Sequence, residues 1–133
     1  MRLLIIIPAY NEADNIERVV NNLIENYPQF DYLVVNDGSR DATAAICIKN
    51  GYNLLDLPEN VGLEGAFQAG MKYADKNGYD CALQFDGDGQ HDPVYIQGML
   101  DTMKQDKSDI LIGSRFKTKK KHRSMRILGN DMI

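Results

Sequence analysis

The chain has 133 residues, 44% of them hydrophobic and 26% charged, which is one domain's length with material for a real core. No apolar run approaches the roughly 20 residues that cross a bilayer, and Met1-Arg2 followed at once by Leu3–Pro8 is too short for a signal peptide. The net charge of −4 hides an asymmetry: seven of the 15 basic residues lie between Ser114 and Asn130, leaving eight against 18 acids in residues 1–113. Such a basic run binds phosphates, anionic lipid or nucleic acid, or is a solvated loop. Cys47 and Cys81 stand far apart without metal-type spacing, and we expect buried thiols in a reducing compartment.

In chain order, Arg2–Ile7 is an aliphatic run stopped by Pro8, the pattern of a central strand buried on both faces. Asn11 is a good helix cap, with Glu12 and Asp14 in the first turn; Ile16, Val19, Val20, Leu23 and Ile24 then recur at helical spacing up to Asn26. Tyr32–Val35 reads as a second strand ending in Asn36-Asp37-Gly38-Ser39. Ser39 or Asp41 would cap a helix running to Lys49. Asn53–Leu57 is a third strand. The loop Glu59–Gly62 leads to a helix whose apolar face is Leu63, Ala66, Phe67, Gly70, Met71 and Ala74. Its small residues, Ala66, Ala69 and Gly70, suit a helix lying close to a sheet. Cys81-Ala82-Leu83 is a fourth strand continuing through Gln84 and Phe85, and Asp92-Pro93 starts a helix to about Gln105. Asp109–Gly113 is a fifth strand delivering Ser114-Arg115, and Ile127-Leu128 would open a further helix.

Strands alternating with helices predict an α/β domain, a mostly parallel sheet with helices on both faces, over residues 1–133 as a single unit. Ligands in such sheets bind outside the carboxyl ends of the strands, at the switch point of strand order. The polar clusters fall at those ends, while the amino ends show none comparable. One cluster carries chemistry most directly. After the fourth strand comes Asp86-Gly87-Asp88-Gly89-Gln90-His91-Asp92-Pro93. Residues two apart in an extended chain point the same way, so Asp86 and Asp88 can face one point. Two such carboxylates suit Mg2+ or Mn2+, with Gln90 adding a neutral carbonyl, and such a cation holds phosphate oxygens. The same residues can also form a solvated acidic turn.

Five motifs in order, Pro8-Ala9-Tyr10-Asn11-Glu12, Asn36–Asp41, Asn60-Val61-Gly62, Asp86–Pro93 and Gly113-Ser114-Arg115-Phe116, resemble those of family 2 glycosyltransferases. The resemblance is nearest to the branch acting on dolichyl and polyprenyl phosphates. It implies a GT-A fold and inverting transfer of a sugar from a UDP- or GDP-sugar, with Mg2+ or Mn2+, to polyprenyl phosphate or a glycan. By position it implies a nucleotide pocket of Pro8, Ala9, Tyr10, Glu12, Asn36, Asp37, Gly38, Gly62, Asp86 and Gly87, with Asp37 accepting the base's imino N–H. Asp86, Asp88 and Gln90 would hold the metal, and Arg115 would face the phosphates, making Asp86, Asp88 and Arg115 the catalytic residues. Arg123 or Arg126 would swing onto those phosphates from a mobile loop. Asn36 departs from the Asp-Asp-Gly-Ser form of the second motif. The family continues beyond this length, so we expect a chain truncated at its C-terminus, with the general base and acceptor contacts beyond Ile133. The implied setting is cytoplasmic, peripheral at the inner face of the membrane, with the basic segment 115–126 against anionic lipid and no nucleic acid partner.

Rival readings stay open. A haloacid-dehalogenase-type phosphatase also uses Asp-x-Asp, but after its first strand rather than its fourth. A calcium loop wants glycine at position six and glutamate at twelve, where this chain has His91 and Gln97. No G-x-G-x-x-G follows the first strand, against a dinucleotide-binding domain. A non-catalytic nucleotide-sugar binding module keeps the donor site without the transfer.

Overall fold

In the computed structural model, which describes residues 2–85, 110–113 and 126–130, the aliphatic run becomes β1 (Leu3–Ala9). Every residue of β1 is buried, because its alternating side chains serve two different cores. Leu3, Ile5, Ile7 and Ala9 pack with Ile16, Val19, Val20 and Leu23 of α1 (Ile16–Asn26) and Cys47 of α2 (Thr43–Lys49). Leu4 and Ile6 pack with Ala66, Phe67, Met71 and Ala74 of α3 (Gly62–Lys76). Helices thus cover both faces, as expected. Cys47 and Cys81 are buried thiols, and burial pushes Cys47 up to about 11.

The remaining strands are β2 (Asp31–Asp37), β3 (Leu54–Leu57), β4 (Cys81–Gln84), β5 (Ile110–Gly113) and β6 (Arg126–Asn130). They form one six-stranded sheet in the order β3-β2-β1-β4-β6-β5, with every described pairing parallel. The chain steps outward from β1 to β3, then crosses back to lay β4 on the other side of β1. The switch point of strand order therefore lies between β1 and β4.

Two sequence expectations change. Ile127-Leu128 does not open a helix; it sits inside β6, opposite Ala82 and Leu83 of β4. A short apolar run carries no period that separates strand from helix, and the non-local pairing decides. The same strand puts Arg126 opposite Cys81, at the amino edge of the sheet. Pro8 does not end β1, which runs on to Ala9. The Phe85 N–H donates to the Ile6 carbonyl at 2.8 Å, so Pro8, two residues later, turns its nitrogen to that same side, where β4 is already leaving. Its missing N–H costs no ladder bond.

Two packing details hold the layers in register. A Cβ on Gly70 would lie 2.6 Å from Ile6 Cγ2 and 3.0 Å from Cδ1, so α3 approaches the sheet as its small residues suggested. We expect Gly70→Val to lower stability by about 1–3 kcal/mol, because fully buried Ile6 has nowhere to move; urea midpoints measure it, and an unchanged midpoint would refute the close packing. The amino edge, read as lacking polar clusters, in fact has one. The Arg2 N–H donates to Asp80 Oδ2 at 2.8 Å, its guanidinium donates to the Asn77 carbonyl at 2.9 Å and covers the Tyr79 ring at 4.2 Å. Tyr79 in turn donates to Asp31 at 2.7 Å; burial, then that carboxylate, push its phenol up to about 12. These groups satisfy one another and tie β1, β2 and the start of β4 together.

Candidate functional site

The carboxyl edge of β1, β2 and β3 is built from three loops joined by hydrogen bonds. The first joins β1 to α1. Asn11 is not a helix cap; it takes a positive φ of 55°, which asparagine tolerates, and α1 starts only at Ile16. Asn11 instead reaches the loop after β2: its N–H donates to Ser39 Oγ at 2.9 Å, and its Oδ1 accepts from the Arg40 N–H at 2.9 Å. The Glu12 N–H donates to Thr43 Oγ1 at 2.9 Å, and the Ala13 N–H to Asp41 Oδ2 at 3.1 Å. Asp41 also accepts from the Thr43 N–H at 3.0 Å, so it turns the chain just ahead of α2 rather than capping it directly. Slight burial works to raise the Asp41 carboxyl, but the bonds from Thr43 and Ala13 outweigh it and hold the group below the ordinary carboxylate range. The loops after β1 and β2 are thereby tied together by four hydrogen bonds.

The second junction joins the loop after β2 to the loop after β3. Asn36 and Asp37 are both 3% exposed. Asn36 donates its amide to Asp56 Oδ1 at 2.7 Å, and its Oδ1 accepts from the Ser39 N–H at 3.3 Å. This accounts for asparagine at the first place of the motif: an aspartate there would meet the Asp56 carboxylate with no proton to share. We expect Asn36→Asp to cost about 1–3 kcal/mol at pH 7. Repulsion raises the folded pKa of the new carboxyl pair, so the deficit shrinks as pH falls and a proton returns. Melting curves at pH 7 and pH 5 check this; an equal deficit at both would sink it. Asp56 gave no signal in sequence, because its role depends on the β2–β3 register that sets Asn36 opposite it.

Asp37 holds the loop after β3. Its Oδ1 accepts from the Val61 N–H at 2.7 Å, and its Oδ2 from the Gly62 N–H at 3.1 Å and the Asn60 amide at 3.2 Å. Gly38, at φ 70°, brings its backbone against Glu59 and Asn60 so closely that a Cβ would lie 2.4 Å from the Asn60 nitrogen.

Of the residues named from sequence, Pro8 and Ala9 end β1 beside Val35 and Asn36, and Tyr10 follows, 43% exposed. Glu12 is half-buried, and its Oε1 accepts from the Asn15 amide at 2.9 Å. Gly62 takes a φ of 90° at the head of α3. Pro8, Ala9, Tyr10, Glu12, Asn36, Asp37, Gly38 and Gly62 thus all lie in the loops and strand ends of one edge. Asp86, Gly87, Asp88, Gln90 and Arg115 lie outside the described residues, as does the expected helix from Asp92-Pro93. β4 ends at Gln84, opposite Ile6, and the Phe85 N–H donates to the Ile6 carbonyl. The clustering residues that sequence reading missed are Asn11, Ser39 and Thr43 as cross-links and Asp56 as the partner of Asn36.

The fold and this edge agree with what the chain is similar to. Over 121 residues it is 33% identical to the polyprenol monophosphomannose synthase of Mycolicibacterium smegmatis, covering 86% of this chain and 45% of that protein. It is 34% identical over 138 aligned positions to a UDP-N-acetylglucosamine–dolichyl-phosphate N-acetylglucosaminyltransferase of Methanococcus voltae, covering 91% and 55%. The chain therefore spans about half the length of these relatives. The crystal structure of Staphylococcus aureus TarS residues 1–349 superposes with a TM-score of 0.68 at 22% identity, over 91% of this chain and 39% of that one. The same TarS fragment in complex with UDP-GlcNAc gives 0.67 at 25% identity, over 93% and 38%. This is the GT-A arrangement expected from the motifs. The family model for glycosyl transferase family 2 matches residues 4–130, and the chain belongs to that family.

Proposed function

We propose that this chain is the donor-binding part of an inverting, metal-dependent glycosyltransferase. It would take a UDP- or GDP-sugar and deliver the sugar to polyprenyl phosphate or to a glycan. The observation that carries the reading is the joined set of loops at the carboxyl edge, beside the switch point between β1 and β4. The names of the relatives, a polyprenol monophosphomannose synthase and a dolichyl-phosphate N-acetylglucosaminyltransferase, support the acceptor. The UDP-GlcNAc complex of TarS supports the donor class.

In this reading Pro8, Ala9, Tyr10 and Glu12 line one side of the nucleoside pocket, and Asn36, Asp37, Gly38 and Gly62 the other. Tyr10 offers an exposed ring for a base to lie on. Asp86, Asp88 and Gln90 form a donor set of hard oxygens that fits Mg2+ or Mn2+, with Gly87 leaving room for phosphate. A bound cation supplies Lewis acidity and neutralises charge on the departing nucleoside diphosphate. Arg115 adds a fixed positive charge to the same phosphates. The basic segment 115–126 suits a cytoplasmic protein lying on an anionic membrane face. Among the described residues no helix is long and apolar enough to cross a membrane.

Calorimetry with UDP- and GDP-sugars in Mn2+ tests the reading. Saturable binding of one nucleotide class, lost on chelation, is the expected result. No binding, or binding indifferent to chelator, would overturn it. The alternative is a module that binds donor without transferring sugar. Assaying transfer and donor hydrolysis separates the two.

A further inference from the structure

Asp37 is a carboxylate 3% exposed to solvent whose side-chain partners all come from one short stretch, residues 60–62. The Arg2–Asp31 ion pair lies at the far edge, and no cation among the described residues pairs with Asp37. Its charge is held instead by two backbone N–H groups at the head of the 15-residue helix α3 and by the Asn60 amide. Residue 61 at the head of α3 is Val61, whose side chain accepts no hydrogen bond, so the capping oxygen arrives from β2. The stretch has little else to hold it. Val61 and Leu63 are 52% and 58% exposed, and the buried face of α3 begins only at Ala66. The Asn60 amide also donates to the Asp37 carbonyl at 3.1 Å, which ties that side chain to the same residue twice.

We infer that Asp37 is a positioning residue: it pins Asn60-Val61-Gly62 as a wall of the nucleotide pocket and acts on donor binding through that wall. The inference rests on the donor-binding reading above and assigns to Asp37 a task different from accepting the imino N–H of the base. An Asp37→Asn side chain keeps the shape but turns an N–H2 toward donors that need an acceptor, so the wall is released.

Amide exchange by NMR reads the wall directly. In Asp37→Asn we expect Val61 and Gly62 to exchange at least about tenfold faster, while Ile5 and Val34 in the core change far less. Donor affinity gives the second readout, with UDP, GDP and CDP as probes, since cytosine lacks the imino hydrogen. Asp37→Asn should weaken all three alike. Asn60→Ala, which loosens the wall while keeping the carboxylate and its bonds to the Val61 and Gly62 N–H groups, should weaken them in the same direction. The double variant should be little worse than Asp37→Asn alone. Unchanged exchange at Val61 and Gly62, fully additive losses, or a collapsed preference for UDP or GDP over CDP would each overturn the inference. Should Asp37→Asn fail to fold, Asn60→Ala still decides by exchange at Val61. Absence of nucleotide binding by the wild-type chain would overturn the donor-site reading instead, and the exchange arm would still judge the pin.

Discussion

Gly38→Ala is expected to destabilise the protein by about 3 kcal/mol or more and to abolish donor binding. Two costs add at this position. Gly38 has a φ of 70°, where an L side chain is strained by about 1 kcal/mol. A Cβ there would also stand 2.4 Å from the Asn60 nitrogen and 2.5 Å from the Glu59 carbonyl carbon, both backbone atoms that cannot rotate aside. The loops after β2 and β3 would have to part, breaking the bonds from Asn60, Val61 and Gly62 to Asp37. Gly51→Ala separates the two costs, since Gly51 shares the φ of 70° but a Cβ there would meet nothing within 4 Å. It should cost only the strain, about 1 kcal/mol. Urea unfolding of both variants is the measurement, and equal losses would mean the close approach carries no weight.

Replacing Asp86 and Asp88 together by asparagine is expected to weaken Mn2+-dependent donor binding by about 100-fold or more, leaving the fold intact. Both changes keep side-chain volume and remove the two negative charges that make the donor set attractive to a hard cation. Without the ion, nothing neutralises the donor's diphosphate in an otherwise acidic body; residues 1–113 carry 18 acids against eight basic residues. Relief of repulsion between the two carboxylates should leave the unliganded melting point unchanged or slightly raised. Arg126→Ala is the matching control. Its backbone lies opposite Cys81 at the amino edge, so donor affinity should not change. Calorimetry with the better-bound nucleotide sugar, with and without chelator, reads both. Retained metal-dependent affinity in the double variant would remove the pair from the proposed site.

How far the residues spoke for themselves differs from place to place. β1 was legible because seven consecutive buried positions leave no polar face to confuse the pattern. α1 and α3 were legible from their apolar spacing, and the closeness of α3 to the sheet from Gly70. The loops were legible as places and not as connections. Asn11 has the composition of a helix cap, yet its backbone N–H donates to Ser39 Oγ and its Oδ1 accepts from the Arg40 N–H, both across the edge. Arg126 reads as one more cation of a basic run until the pairing of β6 with β4 fixes it at the far edge.

The amino-acid order alone thus determined the alternation of strand and helix, the two-faced burial of β1, the edge on which polar groups gather and the family. These are local matters: hydrophobic period, turn chemistry and short motifs act over a few residues, so they can be read without neighbours. Only the tertiary structure decided that Asn36 answers Asp56, that Asp37 answers the head of α3, and that Ile127-Leu128 extends the sheet. Each of those depends on which strand lies beside which and in what register, and partners twenty or more residues apart leave no periodic trace in the chain.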